Sequence, residues 1–216
     1  MNRSILLFLP LLLCLTGCAS MPDAGDLLPI ISAGIGADDA GLKLTAEAVR
    51  QDSLEGSASS VYLTAQAEDP DALFKQADRL LADKLYFSHA RTFVLDEETA
   101  RTGLRPLVSS LLTRGDVRLT LRLAVARDVA ADEIVRAEAI AEEIPGEALG
   151  ALLDQQAREG NIPDLPLCSL ADALLSGADF SLPALILTED GRVTPAGQAE
   201  FRLGRLTGFT GGETDA

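Results

Sequence analysis

Cysteine and histidine have the most versatile side-chain chemistry in this sequence, and both are scarce. The 216-residue chain has three cysteines, Cys14, Cys18 and Cys168, and a single histidine, His89. Structural zinc sites usually need four such ligands, so no metal site is predicted. One histidine also gives little basis for a serine–histidine–aspartate arrangement, and the sequence has no glycine-rich phosphate loop. A histidine at the start of a strand more often makes a local hydrogen bond, so neither a catalytic residue nor a cofactor is predicted.

Charged side chains offer two further kinds of site. Arg118 and Arg122 lie on one face of the stretch VRLTLRLAVA, residues 117–126, and two guanidinium groups so placed could bind an anion. A solvated sheet face, or an ion pair covered by a helix, is the more usual role. Carboxylates cluster at residues 96–98 and 141–147, which resemble solvated helix starts, where negative charge suits the helix dipole. A carboxylate-pair enzyme stays open as an alternative, but nothing selects it, and the chain is predicted not to be an enzyme.

Cys18 has the clearest chemical context. It follows Leu15-Thr16-Gly17 and a short N-terminal segment that carries Arg3 and an apolar core over residues 5–15. These are the parts of an export signal, and the core is shorter than the roughly 20 residues of a membrane span. The Leu-Thr-Gly-Cys pattern resembles the bacterial lipobox, in which the cysteine receives a diacylglyceryl group and becomes the mature N-terminus. We therefore predict cleavage between Gly17 and Cys18 and lipidation of Cys18; an ordinary signal peptide with a chance cysteine is the alternative.

The composition indicates a folded, acidic protein. Removal of residues 1–17 would leave 199 residues, and the 47% hydrophobic content of the chain supports a packed core. The formal net charge of −15 would become −16, because the removed segment has one arginine and no acid. This balance argues against a general nucleic-acid or anionic-lipid surface, and no nucleic-acid partner is predicted. Cys168 would be the remaining unmodified cysteine, and its leucine neighbours predict that it is buried.

Hydrophobic patterns near the start of the mature chain predict three strands and a helix. Residues 27–36 form an apolar run, and residues 42–49 alternate, with Lys43, Thr45 and Glu47 on the solvated side. Residues 60–67 are predicted as a third strand. Asp69 and Pro70 are typical of a helix cap and first helical position. The helix that follows is expected to bury one face, formed by Leu73, Phe74, Ala77, Leu80 and Leu81.

The rest of the chain predicts alternating strands and helices. Residues 89–96 are predicted as a strand, followed by two short helices broken near Gly103 and Pro106, the second burying Leu107, Val108, Leu111 and Leu112. Residues 117–126 are predicted as the strongest strand, with Val117, Leu119, Leu121, Leu123 and Val125 on its core face. Residues 130–159 are predicted to be helix-rich, and residues 169–177 to form a helix capped by Ser169 and ended by Gly177. Two or three strands with an Asp-Gly turn follow in residues 182–209. The expected fold class is α+β, a mixed sheet with an opening hairpin, β-α-β segments and helices packed against it.

The order of these segments resembles the Ger(x)C family, the C-subunit lipoproteins of bacterial spore germinant receptors. The resemblance begins with the lipobox and with ISAGIGADDAGLKLTAEAV, residues 31–49, which is similar to the opening hairpin of that family. It continues through the helix, strand, helix and Arg-bearing strand of residues 71–128. It ends in the proline, hairpin and Ala-x-Phe…Leu-x-Gly pattern of residues 182–209. No single motif is diagnostic, but their shared order corresponds to the N-terminal domain of that family.

The resemblance implies a protein that acts by association. It implies a lipoprotein subunit anchored in the spore inner membrane by a diacylglyceryl group, with a polytopic subunit and a second membrane subunit as partners in nutrient-triggered germination. The expected domains are a signal peptide at 1–17, a lipidated cysteine and tether at 18–27, a germinant-receptor C-subunit N-terminal-like domain at 28–210 and a disordered tail at 211–216. A stand-alone envelope lipoprotein that binds a small solute or a cell-wall component is the alternative.

Overall fold

The computed structural model describes residues 27–39, 41–51, 58–80, 84–137 and 144–212. Within these ranges the chain forms nine strands: β1 (Leu27–Asp38), β2 (Gly41–Gln51), β3 (Ala58–Ala67), β4 (Lys84–Tyr86), β5 (Thr92–Leu95), β6 (Arg122–Ala126), β7 (Phe180–Leu187), β8 (Val193–Arg202) and β9 (Arg205–Thr210). The helices of the same ranges are α1 (Pro70–Ala77), α2 (Glu97–Thr102), α3 (Arg105–Thr113), α4 (Ala131–Arg136), α5 (Pro145–Arg158) and α6 (Leu167–Ser176), with a 3₁₀ turn at Phe87–His89.

The strands form one mixed sheet in the order β3-β2-β1-β5-β6-β7-β8-β9, with β4 beside the start of β1. Strands β1, β5, β6 and β7 are parallel, whereas β1–β2–β3 and β7–β8–β9 are antiparallel hairpins. The predicted α+β fold is therefore confirmed, with its opening hairpin and its β-α-β segments. Because parallel strands share a direction, β1, β5, β6 and β7 all begin at one edge of the sheet. We call it the amino edge and the opposite one the carboxyl edge.

Helices cover both faces of the sheet. Helices α1, α3 and α6 pack on the larger hydrophobic cluster, and α4 and α5 pack on a smaller one. Strand β6 separates the two, because Leu123 and Val125 belong to the first cluster and Ala124 and Ala126 to the second. A central parallel strand buried on both faces is expected to be apolar along its whole length, as this one is from Leu123 onward.

The predicted start of helix α1 is confirmed, and its predicted end is wrong. Asp69 accepts a hydrogen bond at 2.8 Å from the backbone N–H of Ala72, and Pro70 is the first helical residue. Leu73, Phe74 and Ala77 are buried, but the helix ends at Ala77. Leu80 therefore lies outside the helix and is 39% exposed, while Leu81 falls outside the described residues. In helix α3 the prediction for Leu112 is also wrong, since it is 43% exposed.

The long strand predicted over residues 117–126 is wrong in its first half. Strand β6 begins only at Arg122, and Leu119 is 57% exposed although Leu121 is buried. The neighbouring strand β5 begins at Thr92, which pairs with Arg122, so β5 does not extend beside the earlier residues. Carbonyl groups of this segment instead accept hydrogen bonds from the start of α6. The backbone N–H of Leu167 donates to the carbonyl of Leu121 at 2.8 Å, and that of Cys168 donates to the carbonyl of Leu119 at 3.1 Å.

Two predictions for helix α6 are also wrong. The helix begins at Leu167, so Ser169 lies inside it and does not cap it. Its buried face consists of Leu167, Leu170, Ala171 and Leu174, and Cys168 is exposed because it lies one residue away from that face. The predicted end is confirmed, since Gly177 closes the helix in the left-handed conformation, with φ of 72°.

Candidate functional site

The predicted processing residues, Gly17 and Cys18, lie outside the described residues, as does the tether up to residue 26. Cleavage and lipidation there stay predictions. None of the helices in the described ranges is long and apolar enough to cross a membrane. The described residues also include no group of three or more histidine, cysteine, aspartate or glutamate side chains that could hold a metal ion.

The arginines singled out from the sequence border a cleft at the amino edge, which we call the arginine cleft. Its volume is about 320 Å³, and it is lined by Ala90, Arg91, Arg118, Thr120, Arg122, Asp154, Asp164 and Pro166. Arg122 opens β6 and Arg91 directly precedes β5, so the pairing of Thr92 with Arg122 places both arginines at this edge, where both bind Asp154. Arg91 was missed from the sequence, because the strand predicted over residues 89–96 includes it, whereas the observed strand begins only at Thr92.

Carboxylates of α5 and the following loop bind both Arg91 and Arg122, which are half-buried. Arg122 donates from Nη1 to Oδ1 of Asp154 at 2.5 Å and from Nε to Oδ1 of Asp164 at 2.8 Å. Arg91 donates to Asp154 as well, and to Oε2 of Glu147 at 3.2 Å. Glu147 and Asp154 are seven residues apart and therefore share one face of α5. This spacing is the signal that could have identified them in the sequence.

Of the three roles considered for Arg122, an anion site, a solvated sheet face and an ion pair covered by a helix, these contacts confirm the ion pair. The hydrogen bond to Asp164 is the main influence that raises the pKa of the Arg122 guanidinium, against the opposing effect of burial. An anion would have to displace a carboxylate to reach it. Arg118 is exposed, lies before β6 and makes no ion pair with another described residue. The arginine cleft therefore holds α5 against the sheet.

A buried carboxylate lies under the first turn of the same helix. Glu47 is fully buried and accepts hydrogen bonds from Oγ of Ser32 at 2.8 Å and Oγ of Ser60 at 2.6 Å. The first turn of α5 closes over it, since a Cβ on Gly146 would lie 2.3 Å from Oε2 of Glu47. The sequence-based expectation that this face of β2 is solvated is therefore wrong for Glu47 and for Thr45, which is 1% exposed.

The buried carboxylate also affects a neighbouring phenol. Burial, reinforced by the negative charge of Glu47 and opposed by Arg136, raises the pKa of Tyr62 to about 12. The Arg136 guanidinium carbon lies 4.6 Å from the centre of the Tyr62 ring. The Tyr62 hydroxyl donates to the carbonyl of Val135 at 3.4 Å. Glu47 and Tyr62 thus belong to a polar layer that the helices of this face cover.

The remaining candidates have local roles. His89 ends the 3₁₀ turn and does not begin a strand, as was predicted for it. Its side chain is exposed, and its ring centre lies 5.9 Å from that of Tyr86. Asp96 caps α2, accepting from the N–H of Thr99 at 2.7 Å, and it also accepts from the N–H of Ala37 at 2.7 Å. The acids at residues 96–98 thus form a helix start, as the sequence predicted.

Comparison with known proteins identifies the family. No curated protein and no solved structure matches the chain. A family model described as the spore germination protein N-terminal domain matches residues 23–187, which is more than half of the chain. The match covers β1 through β7 and all six helices named above. The chain therefore belongs to the spore germination protein family and carries its N-terminal domain.

Proposed function

We propose that the protein is a lipid-anchored subunit of a germinant receptor complex in the spore inner membrane, and that it acts by association without catalysing a reaction. The observation that carries this proposal is the position of the family match. It begins at residue 23, five residues after Cys18 and its lipobox-like pattern. An anchoring signal and a germination domain thus follow each other directly in the sequence.

The proposed anchor would keep the domain close to the bilayer. Two acyl chains give stable attachment, whereas one holds only marginally. The eight residues between Cys18 and Leu27 span at most about 26–29 Å when fully extended. Confinement to this layer raises the effective concentration of the domain near any membrane subunit, so a modest interface suffices for assembly.

The charged side chains of the described region support association over catalysis. In the arginine cleft the carboxylates of Glu147, Asp154 and Asp164 bind arginines, and Asp96 caps a helix. Glu47 accepts two serine hydroxyls and is covered by α5. Because these groups have structural partners, we expect the protein to act through contacts of its exposed surface.

Fatty-acid labelling in the spore-forming host tests the anchor. We expect the wild-type protein to incorporate the label and to have diacylated Cys18 as its N-terminus by mass spectrometry. Cys18→Ala should abolish labelling and slow nutrient-triggered germination. Cys168→Ala is the matched control, because Cys168 is exposed yet lies far from the lipobox in sequence, and it should leave both unchanged. An unlipidated N-terminus at another position in the wild-type protein would contradict the proposal.

A further inference from the structure

The turn between β8 and β9 carries an unusual residue. Leu203 and Gly204 both have positive φ, 52° and 76°, and they connect the paired residues Arg202 and Arg205. Two-residue hairpin turns with positive φ at both positions favour Asn, Asp or Gly, because a larger side chain is strained there. The Leu203 side chain is nevertheless 75% exposed. Neither turn preference nor burial in the core accounts for a leucine at this position.

A second exposed leucine lies beside this turn. Leu175, in the last turn of α6, is 77% exposed. The two segments are in contact, since a Cβ on Gly204 would lie 2.6 Å from Cδ2 of Leu174 and one on Gly177 would lie 4.0 Å from Cδ2 of Leu203. We call this surface, with the flanking Arg105, Arg202 and Arg205, the leucine corner.

The leucine corner is basic within an acidic protein whose net charge is −15. Arg105 donates to the carbonyl oxygen of Leu174 at 2.5 Å, and Arg205 donates to that of Arg101 at 3.2 Å. Both acceptors are uncharged carbonyl groups, and within the described ranges neither Arg105 nor Arg205 forms an ion pair. Arg202 lies 3.4 Å from Asp179, but both side chains are more than 60% exposed, so water screens the pair. Arginines thus flank the two apolar side chains, and the exposed acids of the same segment are Asp179, beside Arg202, and Asp172, three residues before Leu175 in α6.

The leucine corner also lies on the side from which the tether leaves. Phe201 pairs with Phe180, the first residue of β7, so the turn beyond Phe201 is at the amino edge. Strand β1 begins at the same edge, at Leu27, nine residues after Cys18. The distance across the sheet from β1 to β8 is four strand spacings, or about 19 Å, which is shorter than the extended length of the tether. At the carboxyl edge, by contrast, the β7–β8 turn carries Glu189 and Asp190.

We propose that the leucine corner contacts the headgroup region of an anionic lipid bilayer, with Leu175 and Leu203 entering the interface and the arginines binding lipid phosphates. The inference rests on the proposed function for the anchor. Transfer of a leucine side chain out of water lowers the free energy of the system. At the interface, the flanking arginines can keep their polar contacts. Each basic residue near an anionic surface adds attraction that salt screens. The acidic carboxyl edge would then face away from the membrane.

Single tryptophan reporters test this contact, because the chain contains no tryptophan. The mature chain from Cys18 onward, with Cys168→Ser to remove the exposed thiol, is coupled through Cys18 to a maleimide lipid in vesicles. This chemical anchor makes the result independent of lipidation in the cell, so failure of the proposed function and failure of this inference are separate outcomes. Reporters are Leu203→Trp and Leu175→Trp, with Glu189→Trp at the carboxyl edge as the matched control.

In vesicles that contain phosphatidylglycerol and brominated phosphatidylcholine, we expect quenching of the Leu203→Trp and Leu175→Trp fluorescence. The quenching should weaken at high salt or without phosphatidylglycerol, and Glu189→Trp should stay unquenched. Leu203→Asn supplies a residue that the turn prefers. In the Leu175→Trp background it should reduce quenching while the thermal midpoint stays the same or rises, which excludes misfolding as the cause.

Absence of quenching at both leucine positions, or equal quenching at Glu189→Trp, would overturn the proposal. So would a blue shift of the Leu203→Trp emission that appears only when a purified multi-spanning subunit is added, because the corner would then be a protein-docking surface.

Discussion

Replacing Gly146 with alanine tests the contact between α5 and the polar face of β2. The added Cβ would lie 2.3 Å from Oε2 of Glu47 and 2.8 Å from Oγ of Ser32. Neither atom can move freely: Glu47 is fully buried and is bound by Ser32 and Ser60. The helix start or the carboxylate must therefore shift, and a carboxylate that shifts loses part of its hydrogen bonding to Ser32 and Ser60.

The expected magnitude follows from three effects. Overpacking of a tight site costs about 1–3 kcal/mol. Weakening a hydrogen bond to a buried charged group lowers the free energy of unfolding further, by at most about 3 kcal/mol. Alanine gains at most about 1 kcal/mol over glycine in helix propensity, and less in the first turn of a helix. We therefore expect Gly146→Ala to lower the free energy of unfolding by about 1–5 kcal/mol.

Gly150→Ala is the matched control, one turn further along the same helix. There the nearest atoms to an added Cβ are Cδ and Nε of Arg91, both at 3.1 Å, so this side chain needs to move by only a few tenths of an ångström. We expect a change within about 1 kcal/mol of zero. Urea denaturation of both variants and the wild type measures the difference. If Gly146→Ala is as stable as the wild type, α5 does not close over Glu47 as described.

Further predictions concern the core, the arginine cleft and Tyr62. Leu121→Ala should lower the free energy of unfolding by about 2–5 kcal/mol, because the side chain is 1% exposed. Leu119→Ala, at 57% exposure, should change it by less than about 0.5 kcal/mol, and equal effects of the two in urea would support the long strand. Asp154→Asn, which removes the carboxylate shared by two arginines, should cost about 1–2 kcal/mol at low salt, and an unchanged urea midpoint would refute this. Tyr62, with its pKa raised from 10.0 to about 12, favours the folded state below pH 10 and loses that contribution as the pH rises to about 12. An absorbance titration of tyrosinate should therefore show a late component that Tyr62→Phe removes, and its persistence would contradict the assignment.

Features set by neighbours in sequence were predictable. The alternation in residues 42–49 identified β2, and Asp69 with Pro70 identified the start of α1, because each signal acts within one turn or one strand. The same holds for Gly177, whose left-handed conformation ends α6. Local sequence therefore predicted the kinds of elements and their order, and with them the α+β fold.

Features set by distant segments were not predictable in the same way. The alternating pattern of β2 predicts that Glu47 faces solvent. In the structure it is covered by α5, which starts about a hundred residues later. Leu119 continues an alternating pattern, yet its carbonyl accepts from Cys168 of α6 and its side chain points to solvent. The seven-residue spacing of Glu147 and Asp154 indicates one face of a helix, but the arginines that this face binds are brought together by the pairing of β5 with β6.

Purification of the protein from spore membranes in mild detergent is the most direct test of the central claim, that the protein acts as an anchored subunit. We predict that the wild-type protein is recovered together with a multi-spanning membrane protein encoded beside it, identified by mass spectrometry. Cys18→Ala should abolish the recovery and Cys168→Ala should leave it intact. Recovery without any membrane partner, together with tight binding of a cell-wall fragment by the purified protein, would contradict the receptor account and support a stand-alone envelope lipoprotein.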